Sequence, residues 1–357
     1  MTAAPTPVRL LAAHALPHLT AALTRAAARS ADIALAGACR DGEAACALAE
    51  TLEPDVISLD VALPRLSGPT AIGAIVSWQR RRIVVTATAG CGFTEDIVAC
   101  LDAGAVDFAC RRPEHLWTSP PFIGALLDRV RLAARVPRER LRPRAAASLL
   151  GALASRPGET WVVTGDVGAP GALVPLITAL PSDVPATICV ALSLPAAITR
   201  ALAHYLAARA AVPVREARQG DFLTPGSVLI LPGSCLASLR PARDGRPTIH
   251  LEARHPGPQS GEALDRTLAA FAAGTRAHLV VLSGAGPDGA RGAEAILSAG
   301  GAVYTAAPEC GLLAGLADAV RARAGAAGRA CAELPVARRS GPAAEAKGEL
   351  MATARAA

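Results

Sequence analysis

Short apolar runs alternate with amphipathic helical patterns along most of this chain, and that alternation restricts the possible folds more than any other feature. In the first 134 residues, helical patterns separate apolar runs that begin at Val8, Ile33, Asp55, Arg82 and Ala105. Repeated strand–helix units of this kind pack as a parallel sheet with helices on both faces. Residues 1–134 are therefore predicted to form a doubly wound α/β domain, with functional groups at the carboxyl ends of its strands.

A second series of strand–helix units follows a segment rich in arginine, proline and alanine. That segment, residues 135–158, has the composition of an interdomain linker. Apolar runs resume at Trp161, Ala186, Ser227, His278 and Ala302. Residues 159–325 are therefore predicted to form a second doubly wound α/β domain. Residues 326–357 have little periodicity and are predicted to be a disordered tail.

Composition argues against several classes of protein. No apolar run approaches the roughly 18 residues that span a bilayer, and the amino terminus lacks the pattern of a secretory signal. We therefore expect a cytoplasmic protein without membrane insertion. The nine cysteines form no C-x-x-C pair and no cluster with zinc spacing, so no metal site is predicted. The net charge of +6 is carried by arginines with few aromatics between them, which disfavours a nucleic-acid partner.

The stretch PDVISLDVALPRLSG, residues 54–68, carries a recognisable pattern in the first domain. It resembles the phospho-acceptor segment of response-regulator receiver domains, with Asp60 at the acceptor position. AGAVDFACRRP, residues 103–113, resembles the fifth strand of receivers and the basic position after it. The resemblance is closest to the amino-terminal half of the chemotaxis methylesterase family, CheB. It implies a receiver-like, flavodoxin-like sheet in which Asp60 accepts phosphate from a histidine kinase.

The resemblance fails at the acidic pair that ends the first strand of receivers. That pair holds a Mg²⁺ ion, which prefers octahedral oxygen ligands from several carboxylates and neutralises the phosphoryl oxygens. His14 and Ala15 stand in its place. The sequence therefore predicts that the receiver-like domain is a poor Mg²⁺ site.

Two further receiver groups are also replaced. Arg111 stands where receivers place a lysine as a point charge on the phosphate. Ala87 aligns with the receiver hydroxyl after the fourth strand, although Thr86 or Thr88 could substitute. Two interpretations of Asp60 stay open: a phospho-acceptor, or a strand-end carboxylate in a domain kept for docking or inhibition. The sequence favours the second.

The stretch LSGAGPDGARG, residues 282–292, contains a literal G-x-G-x-x-G between an apolar run and a helical pattern. Such a turn can cradle the pyrophosphate of a dinucleotide at a helix N-terminus. Asp288 would place a carboxylate where the pyrophosphate should rest, and Pro287 removes a backbone donor. The sequence therefore favours a tight turn that presents Asp288, and no cofactor site is predicted.

The same stretch resembles the TGMGxDGAxG corner of the CheB catalytic domain, with Asp288 at the position of the triad aspartate. TPGSVLILPGS, residues 224–234, resembles the family's PGxxYIAPGxxHM segment, and SLPAAITRALAHYLA, residues 193–207, resembles HMPxxFTxxFAxxL. Together these matches imply a CheB methylesterase-like α/β domain. The activity that the resemblance implies is removal of methyl groups from chemoreceptor glutamates under kinase control.

The other two members of the triad are replaced. The family's serine nucleophile lies in GASTGG, which corresponds to GDVGAPG at residues 165–171, so that Val167 takes its position. The histidine of QHMP corresponds to Ser193. Ester hydrolysis by a triad needs a nucleophile, a base and an orienting acid, and an isopropyl group cannot attack a carbonyl. The sequence therefore predicts the fold without the turnover, with Asp288 as the retained acid.

Two functional hypotheses follow. The first is a degenerate member of the family that acts by binding in chemoreceptor adaptation. Its partners would be receptor cytoplasmic domains or chemotaxis proteins such as the histidine kinase, the methyltransferase or an intact partner enzyme. The second is an active ester or amide hydrolase on receptor glutamate or glutamine residues. In that case Ser193 would be a relocated nucleophile, with Asp166 or His255 acting on it.

Overall fold

The computed structural model describes the chain in two sheet-containing regions joined by a short connecting segment. The described residues are 6–88, 94–111, 116–141, 146–147, 150–154, 156–254, 262–307, 311–334 and 336–337.

The first domain is a parallel sheet covered by helices. Its strands are β1 (Val8–Ala13), β2 (Ile33–Cys39), β3 (Val56–Asp60), β4 (Arg82–Thr88) and β5 (Asp107–Arg111). Its helices are α1 (Pro17–Ala28), α2 (Gly42–Leu52), α3 (Gly68–Gln79), α4 (Thr94–Ala103) and α5 (Pro120–Ala134). The strand order is β2-β1-β3-β4-β5, with every pairing parallel.

Burial explains why the strands of this sheet are almost continuously apolar. All of β3 is buried, because it lies in the middle of the sheet with helices on both faces. Its last residue, Asp60, therefore emerges at the carboxyl edge of the sheet. The structure confirms the predicted doubly wound domain.

The connecting segment contains more structure than a plain linker. A 3₁₀ turn, Arg138–Arg140, follows α5, and then come β6 (Ala146–Ala147) and α6 (Leu150–Ala154). Arg82 at the start of β4 donates from Nε to the carbonyl oxygen of Val136 at 2.7 Å. This bond fixes the beginning of the segment to the first domain.

The second domain has a larger parallel sheet. Its strands are β7 (Thr160–Gly165), β8 (Thr187–Leu192), β9 (Val214–Glu216), β10 (Ser227–Ile230), β13 (Ala277–Val281), β14 (Val303–Ala306) and β15 (Ala332–Leu334), and β11 (Cys235–Pro241) and β12 (Pro247–Ala253) form a separate hairpin. Its helices are α7 (Ala169–Thr178), α8 (Ala196–Ala207), α9 (Ala263–Gly274), α10 (Ala290–Ser298) and α11 (Gly315–Ala326). The sheet order is β15-β14-β13-β7-β8-β10-β9.

The end of the chain differs from the sequence prediction. Residues 332–334 form the edge strand β15 beside β14, and β16 (Val336–Ala337) pairs antiparallel with β6. The predicted disordered tail from residue 326 is therefore wrong for these residues. A three-residue strand is too short to show a period, yet it buries Leu334 to 1% exposure. Residues 338–357 of the predicted tail lie outside the described residues.

The two domains pack directly against each other. Helix α4 of the first domain lies against α7 and α8 of the second. Tyr205 on α8 donates its hydroxyl hydrogen to Asp102 Oδ2 on α4 at 3.0 Å. None of the described helices combines the length and apolar character that crossing a membrane requires.

We expect truncation at Cys331 to lower the free energy of unfolding of the second domain by about 2 kcal/mol, the value of burying one leucine side chain. The cause is the loss of β15, because Leu334 is almost fully buried against the sheet. Denaturant titration of this variant should be compared with that of a chain ending at Ala337. Equal stability of the two truncated chains would contradict the assigned packing of β15.

Candidate active site

The predicted site residues of the second domain follow strands that are neighbours in its sheet. Strand β7 lies between β13 and β8, and Val167, Ser193 and Asp288 come after β7, β8 and β13 respectively. Backbone bonds fix the first two connections: Asp166 N donates to Ser283 O at 2.9 Å, and Ser193 N donates to Gly165 O at 3.2 Å. All three segments therefore meet at the carboxyl edge of the sheet, where ligands bind in such folds.

Val167 and Ser193 line one cavity of about 210 Å³ at the boundary between the domains. Asp166 lines it from the second domain, and Asp107 and Arg129 line it from the first. Val167 is 4% exposed, whereas Ser193 is exposed. The structure thus brings together the two positions that the sequence assigns to the family's nucleophile and base.

Asp288 does not line the cavity that contains Val167 and Ser193. Its carboxylate accepts hydrogen bonds from the backbone N–H groups of Leu264 at 3.2 Å and Asp265 at 3.0 Å, in the first turn of α9. Burial raises the pKa of Asp288, and these two backbone donors oppose the rise. Within the described residues, neither a hydroxyl nor an imidazole forms a hydrogen bond with this carboxylate. Asp288 therefore caps α9.

Asp265, in α9, caps the start of α10 in the same way. Its Oδ1 accepts from Gly289 N at 3.0 Å and Gly292 N at 2.8 Å, and its Oδ2 accepts from Arg291 Nε at 3.1 Å. Gly289 has φ of +112°, a conformation that side chains rarely adopt. The two aspartates cap each other's helices, so a carboxylate already occupies the donors that a pyrophosphate would need. This arrangement argues against the dinucleotide interpretation of the glycine pattern.

The turn after β7 is built for close packing. Gly168 has φ of +78°, and a Cβ placed there would lie 2.8 Å from Ser283 Oγ. Pro170 follows within the first turn of α7 and has no backbone N–H to donate. Ser283, which sequence reasoning did not single out, is fully buried. It donates to Val167 O at 2.7 Å and accepts from Leu313 N at 3.0 Å, so its hydroxyl is committed to holding this turn.

The charged groups of the cavity come from both domains. Arg129 Nη1 lies 2.8 Å from Asp107 Oδ2. Burial raises the pKa of Asp107, and the Arg129 guanidinium opposes the rise. Burial likewise raises the pKa of Asp166, again with Arg129 in opposition. Asp107 and Arg129 belong to the first domain. The motifs of the second domain therefore could not predict that they line this cavity.

The histidines that could act as a general base lie in different surroundings. His278 is fully buried; it bonds to Glu159, accepts a hydrogen bond from Ala302 N, and burial lowers its pKa. His204 is exposed and lies 3.7 Å from Glu95 across the domain boundary. His255, the alternative base, lies outside the described residues. None of the described histidines lines the cavity that contains Ser193.

In the first domain, Asp60 and His14 lie near the carboxyl ends of neighbouring strands. Asp60 is 6% exposed and its Oδ1 accepts from Ala62 N at 3.1 Å. Burial raises its pKa. His14 is fully buried; its Nε2 lies 3.0 Å from Ser58 Oγ and its Nδ1 lies 3.3 Å from Thr86 Oγ1. Burial lowers the pKa of His14 to about 3, so the imidazole is neutral.

These residues do not fit the Mg²⁺ ion that the receiver fold implies. The ion needs several carboxylate oxygens, but His14 supplies a neutral imidazole whose two nitrogens face hydroxyl groups. Arg111 donates from Nη2 to Thr88 Oγ1 at 3.0 Å. No group of three histidine, cysteine or acidic side chains able to hold a metal ion occurs in the described part of the chain.

Comparison with known proteins gives two family matches along the chain. The response regulator receiver domain model matches residues 17–112, and the CheB methylesterase model matches residues 161–335. The chain is 32% identical to protein-glutamate methylesterase/protein-glutamine glutaminase 6 of Anaeromyxobacter dehalogenans, over 80% of this chain and 82% of that protein. It is also 32% identical to protein-glutamate methylesterase/protein-glutamine glutaminase 3 of Myxococcus xanthus, over 84% of this chain and 83% of that protein.

Among solved structures, the CheB methylesterase catalytic domain of Thermotoga maritima is similar over 50% of this chain and 93% of that chain, with 28% sequence identity and a TM-score of 0.43.

We expect the buried imidazole of His14 to make folding sensitive to acid. The unfolded chain binds a proton below the ordinary pKa of 6.5, whereas the folded state holds His14 neutral down to about 3. Stability is thus fully present above pH 6.5 and is lost as the pH falls through this window. Relative to His14→Gln, the wild-type free energy of unfolding should fall by about 1.4 kcal/mol per pH unit there. Denaturant titrations at several pH values measure this slope.

The control is His18→Gln, which changes an exposed histidine on α1. Identical pH slopes for the wild type and the His14 variant would contradict the assigned burial.

We expect Asp288→Ala to lower the free energy of unfolding by about 1 to 2 kcal/mol, the usual cost of losing a helix cap. The variant removes both hydrogen bonds to the start of α9. Asp288→Asn should lose less, because its amide oxygen still accepts one bond. Thermal or denaturant unfolding measures the order, with Asp183→Ala at an exposed position as the control. An Asp288→Ala variant as stable as the wild type would remove the capping role.

Proposed function

The chain belongs to the CheB family of protein-glutamate methylesterases/protein-glutamine glutaminases, and we propose that it acts by binding rather than by hydrolysis. The proposed process is chemoreceptor adaptation, in which the resemblance places this family. The proposed partners are receptor cytoplasmic domains, the histidine kinase, the methyltransferase or an intact family enzyme.

One observation carries the proposal. The carboxylate of Asp288, at the position of the family's orienting acid, accepts two backbone hydrogen bonds from α9 and does not line the cavity that contains Val167 and Ser193. Triad chemistry requires the acid to orient a base that in turn takes a proton from a nucleophile. The aliphatic side chain of Val167 cannot act as the nucleophile. The carboxylate of Asp288 is hydrogen-bonded to α9 and does not orient a base.

The same argument applies to the first domain. Asp60 is buried, and burial raises the pKa of its carboxyl group. Its neighbourhood holds the neutral imidazole of His14 in place of the receiver carboxylates. We propose that this domain acts as a docking module, and that Asp60 is a retained strand-end residue rather than a phosphorylation site.

A second candidate function is supported by the contents of the cavity. Ser193 is exposed, and Asp166, whose pKa burial raises, lines the same cavity. Ser193 would then be the nucleophile of an ester or amide hydrolase acting on receptor glutamate or glutamine side chains. Against it, Ser193 Oγ forms no hydrogen bond with any residue in the described part of the chain.

We expect the purified chain to bind methylated receptor cytoplasmic fragments and to release methanol from them at least about a thousandfold more slowly than an intact family enzyme. This lower bound is conservative, because removing the nucleophile or the base of a triad costs about a millionfold in kcat. Methanol release and co-sedimentation with the receptor fragments should be followed in the same samples. Turnover close to that of the intact enzyme would overturn the proposal of binding without hydrolysis.

An active-serine probe distinguishes the second candidate. A phosphonate that labels Ser193, detected by mass spectrometry and lost in Ser193→Ala, would establish the relocated nucleophile. The absence of label on the described serines, together with background methanol release, would remove it.

A further inference from the structure

Val167 is buried in an apolar cluster that belongs mainly to the other domain. The side chain is 4% exposed. The buried members of this cluster come from the first domain and from the residues that directly follow α5, apart from Val167 itself and Leu312. Phe122 and Leu126 on α5 are among them. The isopropyl group therefore takes part in a core that crosses the domain boundary.

The first domain lines the cavity beside Val167 with apolar side chains as well as with Asp107 and Arg129. Val106 and Ala109 in and before β5, and Ala125 on α5, line it from the first domain. A serine at position 167 would lose the apolar contacts that the isopropyl group makes within this cluster. Valine gains from closure of the two domains, because its apolar surface leaves water.

A second apolar cluster also crosses the boundary. Ile97 and Leu101 on α4 belong to the same buried cluster as Leu173 on α7 and Leu202 on α8. Domains within one chain move relative to each other unless the interface between them is large and apolar. Two apolar clusters that cross the boundary favour a fixed arrangement of the domains.

Polar contacts fix how the domains fit together. The hydroxyl of Tyr205 donates to Asp102 across the interface, and burial together with that carboxylate raises the pKa of Tyr205 to about 12. The guanidinium of Arg209 stacks on the Tyr205 ring, 3.5 Å from its centroid. The phenol is therefore held in one orientation and remains a hydrogen-bond donor over the whole physiological pH range.

From these contacts we infer that Val167 is a docking residue that holds the first domain closed over the second, whatever the state of Asp60. The position that the resemblance assigns to the nucleophile thus contributes an interdomain contact. The inference goes beyond binding without hydrolysis, because it concerns how the two domains of one molecule associate. Receptor binding and domain association are measured separately, so either proposal can fail alone.

The test measures association of the two domains after the connection between them is cut. Residues 142–145 are replaced by the recognition sequence of a specific protease, and the folded chain is cleaved there. This site leaves α5 with the first fragment and β6 with the second. We expect the wild-type fragments to remain together on gel filtration at micromolar concentration, and Val167→Ser to raise their dissociation constant by about tenfold.

Two variants and one ligand complete the design. Val320→Ser changes a buried valine on α11, in a cluster confined to the second domain, and should leave association unchanged. Tyr205→Phe removes the hydrogen bond to Asp102 and should weaken association while the fold is kept. Beryllofluoride with Mg²⁺, which mimics aspartyl phosphorylation, should not separate the two fragments from each other.

Separation of the wild-type fragments, equal dissociation constants for the wild type and Val167→Ser, or release by beryllofluoride would each overturn the inference.

Discussion

Two carboxylates bridge helices α9 and α10 in opposite directions, and the interpretation of the second domain depends on this exchange. Asp288 precedes α10 but caps α9, while Asp265 lies in α9 and caps α10. Backbone N–H groups at a helix start need partners, and an anionic side chain there also interacts favourably with the helix dipole. The glycine-rich turn thereby gains a structural reason for its aspartate. The capping role of Asp288 does not depend on any catalytic role for it.

The strand–helix alternation was sufficient to predict both doubly wound sheets, because parallel strands buried on two faces produce long apolar runs. In the structure, the segments after β7 and β8 meet at the carboxyl edge of the second sheet, where Val167 and Ser193 share a cavity. The alternation of strands and helices could not predict which residues surround these site positions. Asp107 and Arg129 enter the cavity from another domain, and Asp265 is a helix residue with no motif around it. Strand β15 is too short for any periodic signal.

His14 shows how a core can hold a buried imidazole. A buried imidazole is tolerated when both ring nitrogens have partners. Ser58 on β3 and Thr86 on β4 provide them. The result is a neutral, hydrogen-bonded strand end where an ion-binding domain would carry negative charge. In both domains, residues at the predicted site positions are held by packing and local hydrogen bonds: His14 by Ser58 and Thr86, and Asp288 by the backbone of α9.

The short pairing of β16 with β6 brings the end of the described chain back to the segment between the domains. Sequence position alone would suggest that the halves could be exchanged with those of a relative anywhere in residues 135–158. The pairing makes the choice of junction important, because a crossover after Ala147 would combine a foreign β6 with the native β16. Chimeras intended to keep each half intact should be joined before Ala146, so that both strands of this small ribbon come from the same parent.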